Sequence, residues 1–196
     1  MGVVYRAIDR LSGHPVALKQ VLVPPELLDF MTPSRTEDFY LGLAREFQSL
    51  ASLRHPNIIS VYDYGFDDRR QPFLVMELLE GALEIPMVPV AFTEQINLLL
   101  QMFEAINYLH HRGIIHRDLK PSNVLVVQQT NYQVKVLDFG LSIKHGEQGD
   151  AEGTLGYIAP EVLQGGSPST RADLYAAGVI ACELFTGQQP FSASSL

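Results

Sequence analysis

Cysteine is nearly missing from this chain: Cys182 is the only one in 196 residues. One thiol closes no internal disulfide, which excludes a disulfide-stapled secreted domain and points to a reducing compartment, the cytoplasm. Its apolar surroundings over residues 174–185 make Cys182 read as a buried core residue. Long apolar runs are also lacking. No stretch approaches the ~20 residues that a bilayer-spanning helix needs, and no signal peptide is visible, so membrane insertion is not expected. Positive charge is scarce: 14 Lys and Arg stand against 22 Asp and Glu, a formal net charge of −8. That balance argues against general affinity for nucleic acid or an anionic membrane, though it leaves room for a local basic site. There is no internal repeat and no low-complexity tract. What remains is 46% hydrophobic and 18% charged, the composition of a soluble folded chain long enough for one or two cores.

The first 80 residues read as a small sheet with one long helix. Residues 2–7 and 15–21 are β-rich, and the turn residues 9–14 between them make a hairpin. Lys19 stands among apolar neighbours near the end of the second strand; it is either an edge-strand charge or a buried charge with partners. A proline-interrupted linker covers 24–33. From Arg35 the residues Leu43, Phe47, Leu50 and Leu53 recur at helical spacing, with Glu46 near that face, and Pro56 ends the pattern. Strands are expected over 58–64 and 73–78, around the turn 67–70. Residues 81–89 are irregular. Thr93 is the expected N-cap of a helix whose apolar face is Leu98, Met102, Ala105, Ile106 and Leu109, with Gly113 as its stop. A short hairpin joins 124–127 to 134–137, 138–161 is mostly loop, and 172–186 is an apolar helix that expects cover on nearly every side.

The densest chemistry lies in His116-Arg117-Asp118-Leu119-Lys120-Pro121-Ser122-Asn123. Carboxylate, cationic and carboxamide side chains sit on a short loop between apolar segments, an arrangement in which rigid flanks aim reactive groups. A solvated turn is the plain alternative. Asp138-Phe139-Gly140 follows the strand at 134–137, and further on stand Gly153-Thr154-Leu155-Gly156-Tyr157-Ile158 and Ala159-Pro160-Glu161.

In this order the motifs resemble a eukaryotic-type (Hanks-type) serine/threonine protein kinase catalytic domain, and the resemblance runs through essentially all 196 residues. It implies an α+β, protein-kinase-like bilobal fold. Residues 1–80 would form a small antiparallel-sheet lobe with one long helix, and 81–196 a mainly helical larger lobe, both incomplete. It implies ATP and Mg2+ as cofactors and a protein substrate with a Ser or Thr acceptor. By the same resemblance Asp118 handles the acceptor proton, Lys120 meets the transferring phosphate, and Asn123 and Asp138 are the metal ligands. Lys19, in Val16-Ala17-Leu18-Lys19, contacts the α- and β-phosphates and pairs with Glu46; a solvated helix carboxylate is the alternative for Glu46. Gly2 is the last glycine of the phosphate-covering loop. Val4, Ala17 and Leu125 sandwich the adenine, Met76 is the gatekeeper, and Glu77 and Leu79 offer backbone groups to the adenine edge. His116, Phe139, Leu50 and Val61 resemble the family's packed spine, and Asp173 the aspartate that anchors the catalytic loop. Lys120 and Thr154 resemble the serine/threonine rather than the tyrosine class.

Some features depart from the family pattern. One strand and two glycines would precede Met1, and the last helices of the large lobe would follow Leu196, so the chain is expected to belong to a longer, multidomain protein. Glu161 would lack its usual arginine and become an unpaired buried carboxylate, and the isolated chain is expected to be marginally stable. Between Asp138 and Gly153 the only hydroxyl is Ser142. Glu147, Asp150 or Glu152 would supply a constitutive negative charge to Arg117, or simply form a solvated acidic loop. Two other functions compete with protein phosphorylation: a non-catalytic nucleotide-binding or scaffold remnant, and a small-molecule kinase of similar fold.

Overall fold

Asp9 shapes the first turn. Its carboxylate accepts hydrogen bonds from Leu11 N at 3.0 Å and Ser12 N at 3.2 Å, and Gly13 takes the left-handed φ of 73° that reverses the chain. The strands on either side are β1 (Val3–Ile8) and β2 (Pro15–Gln20). In the computed structural model the described residues are 3–21, 33–128, 130–138 and 155–191. They divide into two compact units, Met1–Arg54 with Ile59–Glu80, and His55–Ile58 with Gly81–Leu196.

The first unit is an antiparallel sheet of order β1-β2-β4-β3, with β3 spanning Val61–Phe66 and β4 Pro72–Glu77. Helix α1 (Pro33–Ala51) buries Leu43, Phe47 and Leu50. Phe47 is fully buried and its ring lies 5.9 Å from that of Tyr64 on β3; Tyr40 meets Phe66 at 5.2 Å. The helix ends at Ala51, five residues before Pro56, because Arg54 turns back and donates to the carbonyls of Ala51 and Leu53 at 2.6 and 2.7 Å. Leu53 is buried, but past the helix end.

The second unit has the sheet β5-β6-β7, with β5 at Leu83–Glu84, β6 at Val124–Gln128 and β7 at Tyr132–Val136. β5 and the 3₁₀ turn Ile85–Met87 occupy the stretch expected to be irregular; only two residues pair, too few to leave a strand pattern in sequence. Helix α2 (Phe92–His111) begins two residues earlier than a Thr93 cap requires, with Ala91 as an N-cap that makes no side-chain bond. Its expected apolar face is buried throughout. It stops in a Schellman arrangement: Gly113 N donates to His110 O and Ile114 N to Leu109 O, both 3.0 Å, with Gly113 at φ 73°. A single turn, α3 (Pro160–Leu163), precedes α4 (Thr170–Thr186), which Ser169 caps by accepting from Arg171 N.

Cover on α4 is one-sided rather than complete. Ala176, Ala177, Val179, Ile180 and Leu184 are buried, whereas Leu174 and Phe185 are exposed. Cys182 is half-buried, not a core residue, because it faces away from that buried stripe. Glu161 is exposed to solvent. Water therefore solvates its charge, and the penalty expected of a buried unpaired carboxylate does not arise.

Candidate active site

The loop after α2 is built around Asp173, a carboxylate on α4 that is 2% exposed. Its Oδ2 accepts from His116 N at 2.8 Å and lies 2.7 Å from His110 Nε2, while Oδ1 accepts from Arg117 N at 3.0 Å. Two consecutive backbone amides and one imidazole thus converge on one buried anion, which fixes where the loop starts. Arg117 takes φ 70°, unusual for a side chain of its size, and the residue is exposed. A backbone in that region costs roughly 1–3 kcal/mol and persists where surrounding contacts over-determine it.

His116 itself is fully buried. Its Nε2 faces Leu137 O at 2.8 Å. A carbonyl only accepts, so Nε2 carries the proton and Nδ1 is left to accept from Asp118 N at 3.4 Å. That assignment is the neutral imidazole. Burial agrees, pushing the His116 pKa down, and the nearby Asp173 charge only partly opposes it.

Asp118 stands at the tip. Its Oδ2 pairs with Lys120 Nζ at 3.0 Å and accepts from Asn123 Nδ2 at 3.1 Å. Oδ1 accepts no hydrogen bond among the described residues. Asn123 Nδ2 also donates to Asp118 O at 2.7 Å. Because that carbonyl only accepts, the Asn123 amide has one allowed orientation, with Oδ1 turned to the other side. The 3₁₀ turn Pro121–Asn123 carries it into β6, and Asn123 O accepts from Leu137 N at 2.9 Å. Asp138 follows, held at φ 59°. Arg117 and Asp138, two of the three left-handed non-glycine residues among those described, therefore bracket the polar cluster in sequence.

Among the described residues no group of three or more His, Cys, Asp or Glu forms a metal cage. The hard oxygens of Asn123 and Asp138 suit Mg2+ nonetheless, because that ion is commonly bound through one or two protein oxygens with phosphate oxygens and water completing its octahedron. A cavity of about 620 Å³ lies elsewhere, between α2 and the β6–β7 turn, and none of the loop's reactive groups lines it.

On the first unit the strand register groups the remaining candidates. Val4 is opposite Lys19, Lys19 opposite Leu74, and Ala17 opposite Met76. Directly opposed residues share a face, as do residues two apart on one strand, so Val4, Ala17, Lys19 and Met76 lie on one face of the sheet. β2 is an interior strand, which removes the edge-strand reading of Lys19. Ala17 and Met76 are buried, whereas Val4 is 57% exposed. Glu77 ends β4, exchanging bonds with Ser60: its N donates to Ser60 O and its Oε1 accepts from Ser60 N, both 3.0 Å. Leu79 follows β4 and is half-buried, as is Leu125 on β6. Leu50 and Val61 are buried in the first unit and His116 in the second. Glu46 is on α1, its side chain outside the described part. Gly2, Phe139, Gly140, Ser142, Glu147, Asp150, Glu152, Gly153 and Thr154 lie outside the described residues.

Sequence reasoning overlooked His110, Asn57 and Gln101. His110 is six residues before His116 at a helix end, and only the α2–α4 packing reveals its partner. Asn57 is 4% exposed and donates to Gln101 Oε1 at 2.8 Å and Val134 O at 3.0 Å. A signal existed for Gln101, which borders the apolar stripe next to Met102.

The chain matches the family model described as the protein kinase domain over residues 1–196. It is 35% identical over 176 residues to the serine/threonine-protein kinase PknB of Mycolicibacterium smegmatis, covering 83% of this chain and 28% of that protein. Against PknB of Mycobacterium tuberculosis the figures are 36% over 179 residues, with 83% and 28% covered. Against the serine/threonine-protein kinase PrkC of Bacillus subtilis they are 35% over 206 residues, with 100% of this chain and 30% of that protein covered. The chain thus spans less than a third of the length of these relatives.

Proposed function

The chain belongs to the protein kinase family, and on that premise we propose that it transfers the γ-phosphoryl group of ATP to serine and threonine hydroxyls of protein substrates. The observation that carries this reading is the Asp118 carboxylate, with Oδ2 held by Lys120 and Asn123 and Oδ1 accepting no hydrogen bond among the described residues. Such a group orients an incoming hydroxyl through one oxygen and accepts its proton, while its neighbours keep it from swinging away. Lys120, whose Nζ lies 3.0 Å from Asp118 Oδ2, would meet the charge that develops on the transferred phosphoryl group. Asn123 Oδ1 and the Asp138 carboxylate would hold Mg2+, which supplies neutralisation of the phosphate oxygens.

The nucleotide contacts are assigned by family role. Lys19, supported by Glu46, would engage the α- and β-phosphates, and Gly2 the loop that covers them. Val4, Ala17, Met76 and Leu125 would contact the adenine, with the backbone of Glu77 and Leu79 at its polar edge. Thr154 would stand near the acceptor. The shared sheet face of Val4, Ala17, Lys19 and Met76 supports this assignment. Lys120 and the serine/threonine class of the relatives support the acceptor type. No described helix is long and apolar enough to cross a membrane, and the single cysteine favours a cytoplasmic site of action.

The test is incubation of the chain with γ-labelled ATP, Mg2+ and a mixed Ser/Thr/Tyr acceptor peptide. Label is expected on Ser or Thr, and Lys19→Met should abolish it. Label confined to Tyr, or transfer to a small alcohol in preference to peptide, would overturn the assignment.

A further inference from the structure

β7 is the outer strand of the β5-β6-β7 sheet, and apart from the isolated parallel bridge of Val136 to Ile58 its outer edge has no strand neighbour among the described residues. That edge is nevertheless satisfied, and by side chains as well as backbone. Val134 N donates to Gln101 Oε1 at 2.9 Å, and Val134 O accepts from Asn57 Nδ2 at 3.0 Å. Tyr132 O accepts from Gln101 Nε2 at 3.2 Å, and Val136 N donates to Asn57 O at 2.9 Å. Asn57 Nδ2 and Gln101 Oε1 close the set on each other at 2.8 Å. Both amide orientations follow from their backbone partners: Val134 O only accepts and Val134 N only donates. Asn57 and Gln101 together therefore replace an absent strand over Tyr132–Val136.

The strand so held leads straight to Asp138. Beyond Val136, Leu137 is fixed on both sides, its N on Asn123 O at 2.9 Å and its O on His116 Nε2 at 2.8 Å. Asp138 then adopts φ 59°, a conformation that relaxes unless neighbouring residues over-determine it. A slip of β7 by one residue would turn its side chains to the opposite face and move the Asp138 carboxylate with them.

We propose that Gln101 and Asn57 are positioning residues for Asp138: by capping the open edge of β7 they hold the register that aims the Asp138 carboxylate. This rests on the proposed kinase reading for its functional consequence, but not for its structural one. If stability alone were served, an apolar residue of similar size at position 101 would leave the function of the remaining protein unaltered.

Two readouts on the 196-residue chain test this, with Gln101→Leu as the disrupting variant and Gln101→Glu as the conservative one. Gln101→Glu keeps the acceptor for Val134 N and Asn57 Nδ2, but it gives up the donor to Tyr132 O and sets a second oxygen beside that carbonyl. The first readout is amide hydrogen exchange at residues 134–138. Gln101→Leu should speed it by about tenfold or more, at Leu137 and Asp138 as well as Val134, while amides of β1 and β2 are unchanged. The second is the Mg2+ concentration for half-maximal phosphate transfer. It should rise by about tenfold in Gln101→Leu, with the KM for peptide unchanged, and by a smaller factor in Gln101→Glu, which keeps the acceptor for Val134 N. Faster exchange with an unaltered Mg2+ requirement would overturn the proposal and leave a purely structural pair. Unchanged exchange at Leu137 and Asp138 would overturn it too. If the wild-type chain transfers no phosphate, the kinase reading fails, and exchange alone decides the positional claim: lost protection at Asp138 supports it and retained protection refutes it.

Discussion

At the scale of single residues, His116 offers the clearest pH signature. Its folded pKa lies below the ordinary value of 6.5, chiefly through burial, so the folded state holds it neutral. The unfolded chain then binds more protons than the folded one as pH falls through about 6.5, and stability drops in that direction. Its contribution is full above the unfolded pKa. The urea midpoint should therefore fall between about pH 7.5 and 5.5, and His116→Gln, though less stable at the upper pH, should show a shallower fall. Equal slopes would contradict the assignment of a neutral buried imidazole. Tyr157 behaves in the opposite sense. Burial first, and then the bond from its hydroxyl to Glu183 Oε2, raise its pKa. Its contribution is present below about pH 10 and is lost only as pH rises further. Tyr157→Phe should cost roughly 1–2 kcal/mol near neutrality, measured by denaturant unfolding, because a hydrogen bond to a charged acceptor is lost.

Much at this scale was legible because the reactive residues are contiguous. Asp118, Lys120 and Asn123 fall within six positions, and one short loop can bring only near neighbours together. His110, Asn57 and Gln101 were not legible. Their partners are 63, 77 and 33 residues away in sequence, and which polar side chain meets which backbone group is set by helix packing. Cys182 misled for a related reason. An apolar stretch shows that a helix is buried somewhere, but on α4 only the packed stripe is covered.

At the scale of elements, periodicity identified α1, α2 and α4 and the hairpins well, since a sustained stripe leaves few alternatives. Ends were harder. Thr93 has the right chemistry for a cap, yet the backbone turns helical at Phe92. Pro56 is a true helix breaker, but α1 ends first, where Arg54 caps the carbonyl of its last residue, Ala51. The energetic weight lies in the stripes. Phe47 is completely buried between α1 and β3, so Phe47→Ala should cost about 3–5 kcal/mol in equilibrium unfolding. Ser169→Ala, which removes only one N-cap bond, should cost about 1 kcal/mol. Comparable losses for the two would mean that α1 is not held by this face.

At the scale of the whole molecule, the chain is a protein kinase domain family member whose described residues form a four-stranded sheet unit and a mainly helical unit. The central claim is that Asp118 is the group that handles the acceptor hydroxyl. Its most direct test is the rate of phosphate transfer to a Ser/Thr peptide by wild type and Asp118→Asn at saturating ATP and Mg2+, with nucleotide affinity measured alongside. Asparagine keeps the shape and the contact to Lys120 through its oxygen but cannot take a proton. A fall in kcat of about 10²–10⁴-fold is predicted, with ATP binding within about twofold of wild type. An unchanged kcat in Asp118→Asn, or a wild-type chain that binds ATP and transfers nothing, would contradict it.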